Sequence, residues 1–164
     1  MLQTIFFPQI IFILFLSWCN QIHGQRVDVI NFEQLSEIMT QDNDTTYVIN
    51  FWATWCKPCV AEMPYFEALH DQTRDQAVKV ILVSLDFPSQ LESRVIPFVE
   101  KRELKPQVVL LDAGDPNKWI DRVDPSWSGA IPATLFYRGN NRKFVEDSFH
   151  DVASLESIIQ SLHK

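Results

Sequence analysis

Asn50-Phe51-Trp52-Ala53-Thr54-Trp55-Cys56-Lys57-Pro58-Cys59-Val60-Ala61-Glu62-Met63-Pro64 is the stretch on which the fold turns. It includes most of a β-rich, largely apolar run from Tyr47 to Ala53, the pattern expected of a strand covered on both faces. After Cys56 the spacing of Val60, Met63, Phe66, Ala68 and Leu69 predicts a helix to about Arg74, bent at Pro64. A strand giving way to a helix here puts Cys56 at the helix N-terminus. There the unpaired N–H groups and the positive end of the macrodipole favour a thiolate. Cys59 follows at i+3, on the same face and one turn deeper, so the two sulfurs are placed to meet. Pro58 falls in the first turn, where its missing N–H costs nothing. Such a pair acts by exchange: Cys56 attacks a substrate disulfide, and Cys59 resolves the mixed disulfide.

Cysteine usage supports a working pair over a framework. The chain has three cysteines, and Cys19 lies just past an apolar N-terminal run, leaving Cys56 and Cys59 in the remainder. A loop this short adds little as a covalent staple, because that stabilisation grows with loop length. Zinc needs four ligands; no second cysteine pair exists, and His23, His70, His150 and His163 form no ligand-spaced cluster. No metal and no cofactor is expected.

Outward from the motif, Asn31 is placed to cap a helix from Phe32 to about Thr40. Val78 to Leu85 predicts a second buried strand, Ser89 to Leu104 a helix, and Gln107 to Leu111 a third strand. A short helical piece around Asn117 to Val123 leads into the Trp127-Ser128-Gly129-Ala130 loop. Ala133 to Arg138 and Lys143 to Phe149 predict a hairpin through Gly139-Asn140-Asn141, and Asp151 caps a final amphipathic helix. Alternation first and a hairpin last implies an α/β fold, a mixed central sheet with helices on both faces.

At 164 residues the chain suits one domain. A net charge of −7 without any basic run excludes nucleic acid as a main partner. Residues 1–24 read as a signal peptide or an N-terminal membrane anchor, and residues 25–164 as the folded domain. The wholly apolar stretch Ile10 to Leu16 is shorter than the roughly 20 residues that span a bilayer, but fits the core of an export signal. The usual positive charge before it is missing, and a buried N-terminal strand is the alternative. Leu16-Ser17-Trp18 before Cys19 only half matches a lipid-attachment signal.

The run from Asn50 to Pro64 closely resembles the thioredoxin-like proteins of the TlpA/ResA type. Ala130-Ile131-Pro132-Ala133-Thr134 resembles that group's second signature. The resemblance implies a thioredoxin fold with an extra strand and helix, from about Leu104 to Val123, before a cis peptide bond at Pro132. It implies an exported protein of the periplasm or cell envelope, with or without an N-terminal membrane tether, that reduces protein disulfides. Its partners would be disulfide-containing protein substrates and a membrane or exported thiol electron donor. The Ile131 backbone would pair with an extended stretch of substrate, and Trp55, Pro58 and Ile131 would form an apolar rim. Asn50 stands where thioredoxin has a buried Asp, while Glu62, three residues after Cys59, would handle the Cys59 proton. The rival to that role is a solvated first-turn carboxylate favoured by the helix dipole. An oxidase or isomerase of the same fold, or a peptide-binding module with idle cysteines, remain alternatives. A peroxidase is disfavoured because the segment around Cys56 lacks a Thr/Arg peroxide-binding pattern.

Overall fold

The computed structural model describes residues 26–163, so the N-terminal segment with Cys19 and the expected signal or anchor lie outside the described residues. The elements run β1 (Asp28–Ile30), α1 (Phe32–Met39), β2 (Thr46–Trp52), α2 (Lys57–Gln72), β3 (Val78–Ser84), α3 (Ile96–Arg102), β4 (Gln107–Leu111), α4 (Ile120–Val123), β5 (Ala133–Arg138), β6 (Asn141–Val145) and α5 (Val152–Ser161). The six strands form one sheet in the order β1-β4-β3-β2-β5-β6. The first four are mutually parallel; β5 and β6 run antiparallel to their neighbours. Among the described residues no helix is long and apolar enough to cross a membrane.

Sheet alternation divides the core. Val48 and Trp52 of β2 point to the side packed by Met63, Phe66 and Leu69 of α2, Val99 of α3, and Leu155 and Ile159 of α5. Tyr47, Ile49 and Phe51 point to the other side, covered by Phe32, Leu35 and Met39 of α1 and Val123 of α4. With both faces covered, all seven residues of β2 are buried. Asn50 shares the parity of Val48 and Trp52, so its amide is carried to the α2 side. The expected extra strand and helix before Pro132 are β4 and α4.

Four local outcomes differ from the sequence expectation. The three-residue β1, too short to show a period, pairs in parallel with β4 at the sheet edge. The helix expected from Ser89 breaks into a 3₁₀ turn at Pro88–Gln90, a π-type turn at Leu91–Val95 and α3. Pro97 explains the break: it has no N–H to give the Ser93 carbonyl, and the Ile96 N–H reaches back five residues to Leu91. The piece before β5 likewise splits, into a 3₁₀ turn at Pro116–Lys118 and the single-turn α4. The last strand ends at Val145, short of Phe149, because the following backbone and side chains have other partners. Glu146 holds the Ser128–Ala130 loop, and the Phe149 N–H turns to Glu62.

Pro64 sits within α2 without interrupting it. At α1, the Asn31 side chain accepts from the Gln34 N–H at 2.9 Å while Gln34 Oε1 accepts from the Asn31 N–H at 2.9 Å. Asn31→Ala is therefore expected to lower unfolding free energy by about 1 kcal/mol, read as a lower urea midpoint with an unchanged slope.

Candidate active site

Cys56 and Cys59 are joined as a disulfide, with their Cα atoms 5.3 Å apart. Cys56 is the N-cap of α2, in extended backbone conformation, and its Sγ accepts from the Cys59 N–H at 3.3 Å. One of the otherwise orphaned first-turn amides of α2 is thereby aimed at the sulfur. Cys56 keeps 5% of its surface exposed and Cys59 none, so Cys56 is the outer sulfur. The Ile131 carbonyl oxygen lies 3.7 Å from Cys56 Sγ, and the Ile131–Pro132 bond is cis, as the resemblance implied. Trp55 is 58% exposed, Pro58 is exposed, Ile131 is half-buried and Pro132 is buried. The structure thus brings Trp55, Pro58, Ile131 and Pro132 to one end of the molecule with the disulfide.

The turn leading to Cys56 is held by a residue the sequence reading did not single out. Asp86, 1% exposed, accepts from the Thr54 N–H at 2.8 Å, the Thr54 hydroxyl at 2.5 Å and the Ser84 hydroxyl at 2.8 Å. Register explains the meeting: Trp52 is paired with Ser84, so two residues further on Thr54 comes level with Asp86. A polar Ser-x-Asp closing an apolar strand is the signal that was available. It becomes readable only once β2 and β3 are taken as adjacent and parallel.

Glu62 is not a solvated carboxylate. It is 1% exposed and lies beyond the first turn of α2. Its Oε1 accepts from Asn50 Nδ2 at 2.9 Å and its Oε2 from the Phe149 N–H at 2.8 Å. Burial pushes its pKa up to about 7, against the lowering effect of the Phe149 and Asn50 hydrogen bonds and of His150, with Asp147 adding to the rise. Asn50 Nδ2 also donates to the Thr134 hydroxyl at 3.0 Å, while its Oδ1 has no partner among the described residues. Turned by 180°, the same amide presents an oxygen to Glu62, the orientation that suits a protonated carboxyl. Asn50 therefore serves either charge state of Glu62.

The loop that carries Ile131 is fixed from its far side. Glu146 takes the N–H groups of Ser128 at 3.0 Å and Ala130 at 3.1 Å, and the Ser128 hydroxyl as well. Trp127 Nε1 donates to the Ala130 carbonyl at 2.8 Å, and its ring packs on Phe51 of β2, centroids 4.7 Å apart. Glu146 was likewise missed, being one of several acidic residues in a polar stretch with nothing to mark it.

Comparison with known proteins places this geometry. Residues 26–141 match the AhpC/TSA family. The thiol-disulfide oxidoreductase ResA of Oceanobacillus iheyensis is 51% identical over 39 residues, which are 24% of this chain and 20% of that protein. ResA of Halalkalibacterium halodurans is 31% identical over 87 residues, 53% of this chain and 44% of that protein. The matched stretch thus spans less than half the length of these relatives. Among solved structures, a secreted Mycobacterium tuberculosis disulfide oxidoreductase, described as homologous to E. coli DsbE, superposes with a TM-score of 0.54. It is 26% identical, over 74% of this chain and 84% of that one. The fold is therefore the thioredoxin-like one anticipated from the two signatures.

Two measurements check the site's energetics. With a folded pKa near 7 against an unfolded value of 4.5, Glu62 is protonated only in the folded state between those limits. Its contribution is thus a loss of stability as pH rises from about 4.5 through 7, on the order of 3 kcal/mol in total. Glu62→Gln should flatten that slope in urea melts between pH 4 and 8; an unchanged slope would mean that Glu62 ionises normally. Thr54→Val removes one donor from the buried Asp86 and is expected to cost about 2 kcal/mol in the oxidised protein.

Proposed function

Since the chain belongs to the AhpC/TSA family and carries a bonded cysteine pair at a helix start, we propose that it is a thiol–disulfide oxidoreductase that reduces protein disulfides. The observation that carries this reading is the Cys59 N–H aimed at Cys56 Sγ beside the Ile131 carbonyl. The amide stabilises an ionised outer sulfur, and the carbonyl stands where an extended peptide would align.

In the reduced protein the Cys56 thiolate attacks one sulfur of a substrate disulfide. That S–S bond breaks, an intermolecular S–S bond forms, and the first substrate sulfur leaves as a thiolate that takes a proton from solvent. Cys59 then loses its proton to Glu62, one helical turn away, whose pKa near 7 suits acceptance at neutral pH. The Cys59 thiolate attacks Cys56 Sγ, expelling the second substrate sulfur and leaving the Cys56–Cys59 disulfide. Two electrons have passed to the substrate, and an exported or membrane thiol donor must return them. Trp55, Pro58 and Ile131 form the rim against which the substrate chain lies, and Pro132 shapes the backbone on its inner side.

We place the protein in the periplasm or cell envelope, held by or released from its N-terminal segment. Three observations support this: the apolar run before residue 25, a redox pair that works where disulfides form, and the secreted character of the Mycobacterium tuberculosis protein. The reducing direction is supported by resemblance to the TlpA/ResA type.

The decisive experiment is a trap. Cys59→Ala should accumulate dithiothreitol-sensitive mixed disulfides with envelope proteins, and Cys56→Ala should accumulate none. If Cys56 in the Cys59→Ala protein alkylates rapidly at neutral pH yet captures no protein, protein disulfides are not its substrates.

A further inference from the structure

Next to the disulfide, and separate from its rim, an apolar cleft of about 410 Å³ opens beyond the C-terminal ends of β3 and β4. Leu85, Phe87, Leu111, Trp119, Ile120 and Trp127 supply most of its apolar wall. Ligands of open α/β sheets bind outside the carboxyl ends of the strands, and this cleft shares that edge with the end of β2 and Cys56.

Two bridges join it to the redox centre. Asp86 lines the cleft and holds Thr54, two residues before Cys56. Gly129 lines it from the other side, two residues before Ile131, whose carbonyl is 3.7 Å from Cys56 Sγ. Two extended residues span ~7 Å, so a chain aligned on Ile131 reaches the cleft two or three residues from its own cysteine.

The exposed surface points the same way. Among the described residues the large apolar side chains most open to solvent are Phe87 at 71%, Trp55 at 58% and Val29 at 43%. Trp55 and Phe87 directly follow the two residues, Thr54 and Asp86, that are hydrogen-bonded to each other. Both therefore stand exposed at the end of the sheet that carries the disulfide, Trp55 next to Cys56 in the chain and Phe87 in the cleft wall. The floor is preformed: Trp119 and Trp127 meet edge to face at 5.7 Å, and Trp127 is tied to the Ala130 carbonyl. Asp86 and Asp112 are the charged residues of the cleft lining; Lys118 and Arg122 share the neighbouring hollow with Asp112 but do not line this cleft.

We propose that this cleft is a specificity subsite that takes an aromatic or large aliphatic side chain of the protein substrate, two or three residues from the cysteine under attack, and rejects an acidic one. The proposal rests on the oxidoreductase reading, but its test separates the two.

The full chain is assayed with two disulfide-looped peptides that carry Phe or Asp three residues from the cysteine, and with hydroxyethyl disulfide as a substrate too small to reach the cleft. The Phe peptide should be reduced with at least a tenfold higher kcat/KM, expressed in KM. Phe87→Ser, a change at an exposed position, and Ala113→Trp, which fills the cleft, should each bring that ratio near one while leaving hydroxyethyl disulfide reduction unchanged. Cysteine-free versions of both peptides, titrated against the indole N–H signals of Trp119 and Trp127, give a readout independent of turnover. The Phe version alone should shift them, and Ala113→Trp should abolish the shift. Equal kcat/KM for the two peptides, or a preference that survives both variants, overturns the subsite. Free indole shifting the signals as strongly as the Phe peptide also overturns it, in favour of a small-molecule pocket. If no disulfide is reduced while the Phe peptide still binds in the cleft, the subsite stands and the reductase reading falls.

Discussion

A single backbone amide, the N–H of Cys59, lies 3.3 Å from the sulfur of Cys56, and the chemistry proposed here depends on that contact staying in place. An amide at a helix start has no partner within its own helix, so it is free to stabilise charge, but only if the helix begins where it does. The start of α2 is fixed on three sides. β2 lies in the middle of the sheet between β3 and β5, and so cannot slide in register. Asp86 takes both donors of Thr54 and sets the turn that follows. Pro58 presets the backbone angle of the first turn and has no N–H to leave unpaired there.

Behind the sulfurs lies a buried polar network whose cost explains its completeness. A carboxylate out of water is unfavourable by several kcal/mol unless its oxygens are hydrogen-bonded. Glu62 has both oxygens bonded, one by a side chain from β2 and one by the backbone after β6. The second bond is possible because the last strand stops at Val145 and lets the chain cross to α2. An early end to a strand, which costs ladder hydrogen bonds, here supplies the donor that a buried acid requires. What burial leaves uncompensated is visible in the raised pKa, and a proton acceptor near neutrality is the result.

Elements with strong local signals were readable from the chain: β4 and β5 fall where the apolar runs place them, and Asn31 and Asp151 cap the helices expected of them. The cysteine pair and the cis bond at Pro132 were reached by motif. The remainder depends on pairings that no local window contains. The three residues of β1 form a strand only because β4 offers an edge, and Asp86 gains its role only from the β2–β3 register. Glu62 carried two readings, a proton acceptor for Cys59 and a solvated first-turn carboxylate, and its burial was not legible because its donors come from residues 12 before and 87 after it. The helix after Pro88 was read as continuous because apolar spacing does not register the effect of Pro97 on the backbone ladder.

The two faces of the sheet divide the work. Cys59, Glu62 and Asn50 belong to the side of α2, a buried, hydrogen-bonded setting that suits the proton transfer proposed for them. The opposite side is packed by aromatic rings from Phe32 through Trp119 and Trp127 to Phe51, and its upper end opens as the apolar cleft. Ile131 packs against both clusters, so the loop proposed to align a substrate chain is supported by both halves of the core. A change in the aromatic layer is therefore transmitted to the Ile131 carbonyl through Trp127 and Ala130 without touching a sulfur. On this arrangement the aromatic side and the α2 side are joined at the Ile131 loop, so the Ile131 carbonyl is where a change in the aromatic layer meets the sulfur of Cys56.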